Sequence, residues 1–333
     1  MEHDPSALMA IPRTVPYPFI RSLSEFLGID HYNLMEVLSR MIYGSNMIAL
    51  AGGSLPTTYR ICCAVFEERA QIPEEFTKND NEYEAIKQHL EFRGLAASDE
   101  LIFQSYRETL QHAQAAKHLI QKVVLDRQAF DEATFMEAHR ILTYKIDLDE
   151  LMPWSNYSGT YCLWDTPRDM RFLDPAQIPT AMLQMINELM MEMTTMDMQQ
   201  PRIEDVYERI CYASRFCQRF ILIRPFLDGN GRMYRLFLTT LLLRARICPA
   251  IYGLYAFDRF HHSRAEASCF RQDNQELLGA KDIVALETNH HLAKFVLEHT
   301  HGGWNSPDNY MKTFLQVTRR GQQGSSSSKM DSQ

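Results

Sequence analysis

Ile223-Arg224-Pro225-Phe226-Leu227-Asp228-Gly229-Asn230-Gly231-Arg232-Met233-Tyr234-Arg235 runs straight into the apolar stretch Leu236 to Arg246, and its reading decides how the rest of the chain is arranged. Gly229 and Gly231 flank Asn230, so the backbone can take φ > 0 and admit a ligand without a Cβ in the way. The periodic segment that follows predicts a helix starting at about Asn230 to Arg232. The N–H groups of its first turn have no partner inside the helix and lie at the positive end of the dipole. Such a terminus suits a phosphate. Arg232 and Arg235, three residues apart, share one helical face and are placed to clamp two successive phosphates. Asp228 stands among these positive groups, and a carboxylate beside a polyphosphate usually holds Mg²⁺. The stretch reads as a Mg-nucleotide site, with a glycine turn that merely starts a buried helix as the alternative.

The 333 residues are enough for one large or two ordinary domains, and 45% hydrophobic content supports a sizeable core. A formal net charge of −8 and a pI near 5.9 argue against a sequence-independent hold on nucleic acid, which needs a basic surface. Seven cysteines, odd in number and without a C-x-x-C pair, point to a reduced compartment and away from disulfides or zinc. Met1 to Thr14 lacks the basic start and unbroken apolar run of a signal peptide, and the longest apolar runs are too short to cross a bilayer. The chain is therefore expected to be cytoplasmic or nuclear, not secreted, with neither membrane nor nucleic acid as partner.

Outward from the loop, periodicity predicts helices almost throughout. Leu34, Val37, Leu38, Met41, Ile42 and Ile48 mark one, closing at Gly52-Gly53, and a second follows from Thr57 after Pro56. Glu82 to Phe92 marks a third, and Ser98 opens the longest, with Phe103, Tyr106, Leu110, Ala113, Ile120 and Val124 on one stripe. Asp131 caps the next, bearing Phe135, Ala138, Ile141 and Leu142. The Pro-rich texture from Pro153 to Pro179 reads instead as a small β-hairpin, built from Thr160 to Trp164 and Met170 to Leu173. Pro179 opens a helix through Met193, Ile203 to Phe220 forms another, and Asp282 to Glu298 the last. The methionines from Met185 to Met198 read as flexible core filling, the twelve histidines as surface residues, and Gly321 to Gln333 as a disordered tail.

Arg224, Phe226, Asp228, Gly229, Asn230, Gly231, Arg232 and Arg235 resemble the signature H-x-F-x-[DE]-G-N-G-R-x-x-R of the Fic (Fido) family, departing only at its first position. Around it, Phe135 to Leu142 looks like the family's helix leading to the flap. Tyr157-Ser158-Gly159-Thr160-Tyr161 looks like its P-G-x-[YF]-R motif, and Arg171 to Pro179 like its return strand. The resemblance implies an all-α fold, a Fic-type helical core with a small β-hairpin flap. Its expected layout is a leader over 1–30, an N-terminal helical region over 31–130, the Fic core over 131–260, C-terminal helices over 261–316 and a tail over 317–333. It implies transfer of AMP from Mg-ATP to a hydroxyl of a protein target. Asp228 would bind Mg²⁺, Asn230 with the Gly229 and Gly231 amides would hold the α-phosphate region, and Arg232 and Arg235 the outer phosphates. The target would align along the flap near 161–172 by strand addition.

Two departures shape the expectation. The family's first motif position is a general base, and Arg224 cannot serve as one, because a guanidinium has no lone pair to offer at neutral pH. Loss of a base costs on the order of 10² to 10⁴ in rate, while phosphate positioning survives it. Ser45-Asn46-Met47-Ile48-Ala49-Leu50 resembles the family's inhibitory motif [ST]-x-x-x-E-[GN], but Ala49 stands where its Glu belongs. Arg235 is then expected to lack an inhibitory partner from this helix; an ordinary core helix is the alternative. Three functions follow: a nucleotide-binding protein whose adenylyltransferase activity is weakened or lost, an active transferase with another base, or a scaffold that binds no nucleotide.

Overall fold

The computed structural model describes residues 18–68, 76–149, 151–162, 173–198, 205–255 and 284–301, and every regular element within them is helical. Ten α-helices are described: α1 (Pro18–Leu27), α2 (His31–Ala49), α3 (Leu55–Phe66), α4 (Asn81–Phe92), α5 (Asp99–Leu119), α6 (Glu132–Thr143), α7 (Ile178–Met198), α8 (Val206–Ile223), α9 (Asn230–Arg244) and α10 (Val284–His301). The predicted starts hold: Ser98 accepts from the Leu101 amide and Asp131 from the Thr134 amide. Such caps contribute about 1 kcal/mol each. The first residues of the expected hairpin, Thr160 to Cys162, are described, and the Cys162 amide donates to the Pro225 carbonyl at 2.9 Å. The rest of the flap, 163–172, lies outside the described residues, as do the leader before 18 and the tail.

Three local features depart from the periodic reading. α2 ends earlier than Gly52-Gly53, at Leu50, which takes the left-handed conformation (φ 57°). The two glycines instead turn the chain against α5, where the Gly52 amide meets Glu108 Oε2 at 2.8 Å and the Gly53 amide Thr109 Oγ1 at 2.9 Å. A methyl group on Gly52 would run into the Asn46 side chain. The stripe begun in α5 stays buried through Val124, but Ile120–Leu125 is π-helical, and Arg244 donates to the Val123 carbonyl there. The methionines of α7 divide: Met182, Met185 and Met193 are buried with Ile186 and Leu189, whereas Met190 and Met191 face outward and do not fill the core.

The centre of the molecule is α8 and α9, packed on each other, with α5 against α9 and α10 against α8. α9 is buried on all sides from Arg232 to Leu243. Phe130, Phe135, Phe220 and Phe237 form an aromatic cluster under the connection between α8 and α9. Phe226, from the connection itself, is fully buried beside Phe220, so the loop is pinned into the core by its own side chain. No helix among the described residues is long and apolar enough to cross a membrane.

Candidate functional site

The loop is shaped by its own residues. Arg224 closes α8 in the left-handed region (φ 47°, ψ 64°), with its amide on the Phe220 carbonyl and its residue exposed. Asn230 then reaches back four residues, accepting from the Phe226 amide at 3.0 Å and donating to the Phe226 carbonyl at 2.6 Å. The side chain expected at the α-phosphate thus also braces the loop. Gly229 caps α9 at φ 75°, and the first bond of the helix runs from the Met233 amide to the Gly229 carbonyl. The amides of Asn230, Gly231 and Arg232 precede that bond, which is the anion-seeking end anticipated from the glycines.

Behind Asp228 stands His139 of α6, a residue the sequence reading placed on the surface. Its ring lies 3.7 Å from that of Phe226 at an interplanar angle of 3°. The Gly159 amide donates to Nδ1 at 2.9 Å, which leaves the proton on Nε2, 3.0 Å from the Asp228 carbonyl. Burial pushes His139 down to about 4, against the pull of the Asp228 carbonyl and charge. His139 therefore links Gly159 to the connection between α8 and α9 at Asp228. Its signal was available: it lies between Phe135 and Leu142 on the apolar stripe of α6.

The Asp228 carboxylate remains 43% exposed and receives Arg232 Nη2 at 3.3 Å. One accessible carboxylate beside a helix N-terminus could hold Mg²⁺, which binds through one or two carboxylates together with substrate phosphates. Among the described residues there is no group of three or more His, Cys, Asp or Glu able to hold a metal by themselves. Arg232 and Arg235 are both only 5% exposed. Arg232 Nη1 is buried without a hydrogen-bond partner, as expected of a donor kept for a ligand.

Arg235 donates from Nε to Ser45 Oγ at 2.7 Å and from Nη2 to the Ser45 carbonyl at 2.9 Å, so it meets α2 through the neutral first residue of the inhibitory-like stretch. Ala49, the position expected to matter, is exposed at the end of α2. The reason lies in docking: α2 approaches so closely at Gly44 that a methyl group there would lie on the Tyr252 carbonyl, and this brings Ser45 to Arg235. Next to Ser45, Asn46 Oδ1 lies 2.6 Å from Nδ1 of His112 of α5, also fully buried rather than on the surface.

Residues 129–242 match the profile of the Fic/DOC family. No curated protein matches the chain in sequence. In fold it is similar to a Fic domain containing signaling protein from Bacteroides thetaiotaomicron, at 15% identity and a TM-score of 0.52, over 85% of this chain and 95% of that one. It is also similar to a fragment of Fic-1 from C. elegans, at 16% identity and a TM-score of 0.52, over 89% of this chain and 72% of that one. The loop and its two buried arginines lie within the matched segment, residues 129–242.

Proposed function

We propose that the chain binds a Mg-nucleotide, ATP or a close relative, at Asp228 to Arg235, and that Arg224 leaves it with weak or no adenylyl transfer. The observation that carries this reading is one arrangement: three first-turn amides ahead of the first helical bond, a half-exposed Asp228 carboxylate in front, and Arg232 and Arg235 buried behind. Bound Mg²⁺ would supply charge neutralisation on the phosphates. The chain's own residues do the rest. The amides of Asn230, Gly231 and Arg232 orient the phosphates, and Asn230 and His139 keep the loop in the shape that aims them. Arg224, exposed at the end of α8, adds positive charge near the loop and accepts no proton from an attacking hydroxyl. The partner is a protein segment aligned along 161–172, so the molecule acts as a nucleotide-dependent interaction module in the cytoplasm or nucleus.

Mass spectrometry after incubation with Mg-ATP tests the reading, applied to the chain itself and to candidate targets, for wild type and Arg224→His. Wild type should show no or trace AMP addition, and Arg224→His a gain on the order of 10² or more. Stoichiometric AMP on the wild-type reaction, undiminished relative to the variant, would make the chain an active transferase.

A further inference from the structure

Arginines also gather at the other end of α9, and there one carboxylate serves three of them among the described residues. Arg244 is fully engaged. It donates from Nη1 to the Val123 and Gln128 carbonyls at 2.7 and 3.0 Å, and from Nε and Nη2 to Asp197 of α7. Arg127, exposed, reaches the same carboxylate from Nη1 alone, at 3.3 Å. Arg246, half-buried, meets no carboxylate among the described residues; its Cζ lies 4.7 Å from the ring centre of Phe26 in α1. Arg127 lies over that same ring, with Cζ at 4.9 Å. Two guanidinium groups thus converge on one phenyl ring with donors to spare.

Two features set the pair apart from ordinary solvated charge. Arg127 follows the π-helical segment and Arg246 follows α9, each in the left-handed conformation, at φ 56° and 60°. Glycine would sit there without strain. The helix dipole favours a cation at such an end and on its own would hold the charge more firmly. Both groups are shifted the other way, by burial first, and Arg127 by Arg244 and Arg246 as well, against the pull of Asp197. The fold keeps these two charges at a cost that an incoming anion relieves.

We propose that Arg127 and Arg246, set on Phe26, form a docking surface for an acidic segment of a partner protein, each taking one carboxylate. Their Cζ atoms are at most about 10 Å apart, and residues i and i+2 of an extended chain, about 7 Å apart, span that once their side chains are added. Packing on the ring pre-organises each guanidinium, whose N–H edge suits a carboxylate. The surface is separate from the nucleotide loop, since Arg244 stands about 13 Å along α9 from Arg235. The inference is therefore independent of the nucleotide reading.

Fluorescence anisotropy tests it, with a short labelled peptide alternating glutamate and glycine, and its glutamine counterpart, as probes. Wild type should bind the glutamate peptide and not the glutamine one, and more weakly as salt rises. Arg127→Gln or Arg246→Gln should weaken binding about fivefold. Phe26→Leu, which leaves every charge in place, should weaken it about threefold. Asp197→Asn, which removes the competing carboxylate, should strengthen it. No binding by wild type at low salt, or binding unchanged in both arginine variants, overturns the proposal. Binding that falls in the arginine variants and not in Phe26→Leu reduces the surface to net charge and overturns it too.

Discussion

Asn230 shows how much one side chain can carry. Its two bonds to Phe226 are internal to the loop and buried, so removing them strands an amide and a carbonyl that have no route to water. Asn230→Ala should destabilise the protein by about 2 to 4 kcal/mol, measured by chemical denaturation, because each buried unpaired group costs about 1 to 3 kcal/mol. Asn230→Asp should fall between the two, since it keeps the acceptor and loses the donor. His139 adds a pH dependence. Folding holds its ring neutral, at about 4 against 6.5 for an ordinary histidine. The stability this confers is complete above about pH 6.5 and is lost as the pH falls toward 4, amounting to about 3 kcal/mol over that window. His112, lowered in the same direction, adds to the loss. Denaturation between pH 7 and pH 4.5 should show the decline in wild type and a shallower one in His139→Gln.

The helices themselves were legible because each carries a period and most carry a cap: Ser98 and Asp131 announced α5 and α6, and Pro179 announced α7. What could not be read was how the helices meet. The bond from Arg235 to Ser45 spans 190 positions and depends on α2 seating its Gly44 against Tyr252, which no local pattern encodes. Counting along a helix does not say which turn faces a neighbour. Likewise His112 and His139 were assigned to the surface by residue type, although both are fully buried and His139 lies on the apolar stripe marked in α6. Gly44→Ala tests the docking of the element. With backbone rather than a flexible side chain in the way, α2 must shift, and a loss of more than about 2 kcal/mol in denaturation is expected. Ser45→Ala, which adds no bulk, should cost less in stability and change nucleotide affinity through Arg235 instead.

At the scale of the whole molecule, the loop sits where the buried pair α8 and α9 turns, with α2, α5 and α6 closing around it. Arg232 and Arg235 are charges held in the core, and such charges are costly unless paired or kept for a ligand. A ligand that neutralises them should therefore stabilise the entire fold: at one hundred times its Kd, by about 2.7 kcal/mol. The most direct test of this account is the equilibrium binding of Mg-ATP by calorimetry, comparing wild type with Asp228→Ala. Saturable binding by wild type, weakened about tenfold or more by Asp228→Ala and by chelation of Mg²⁺, is the predicted result. No binding by the folded wild-type chain, or equal binding by Asp228→Ala, would contradict it.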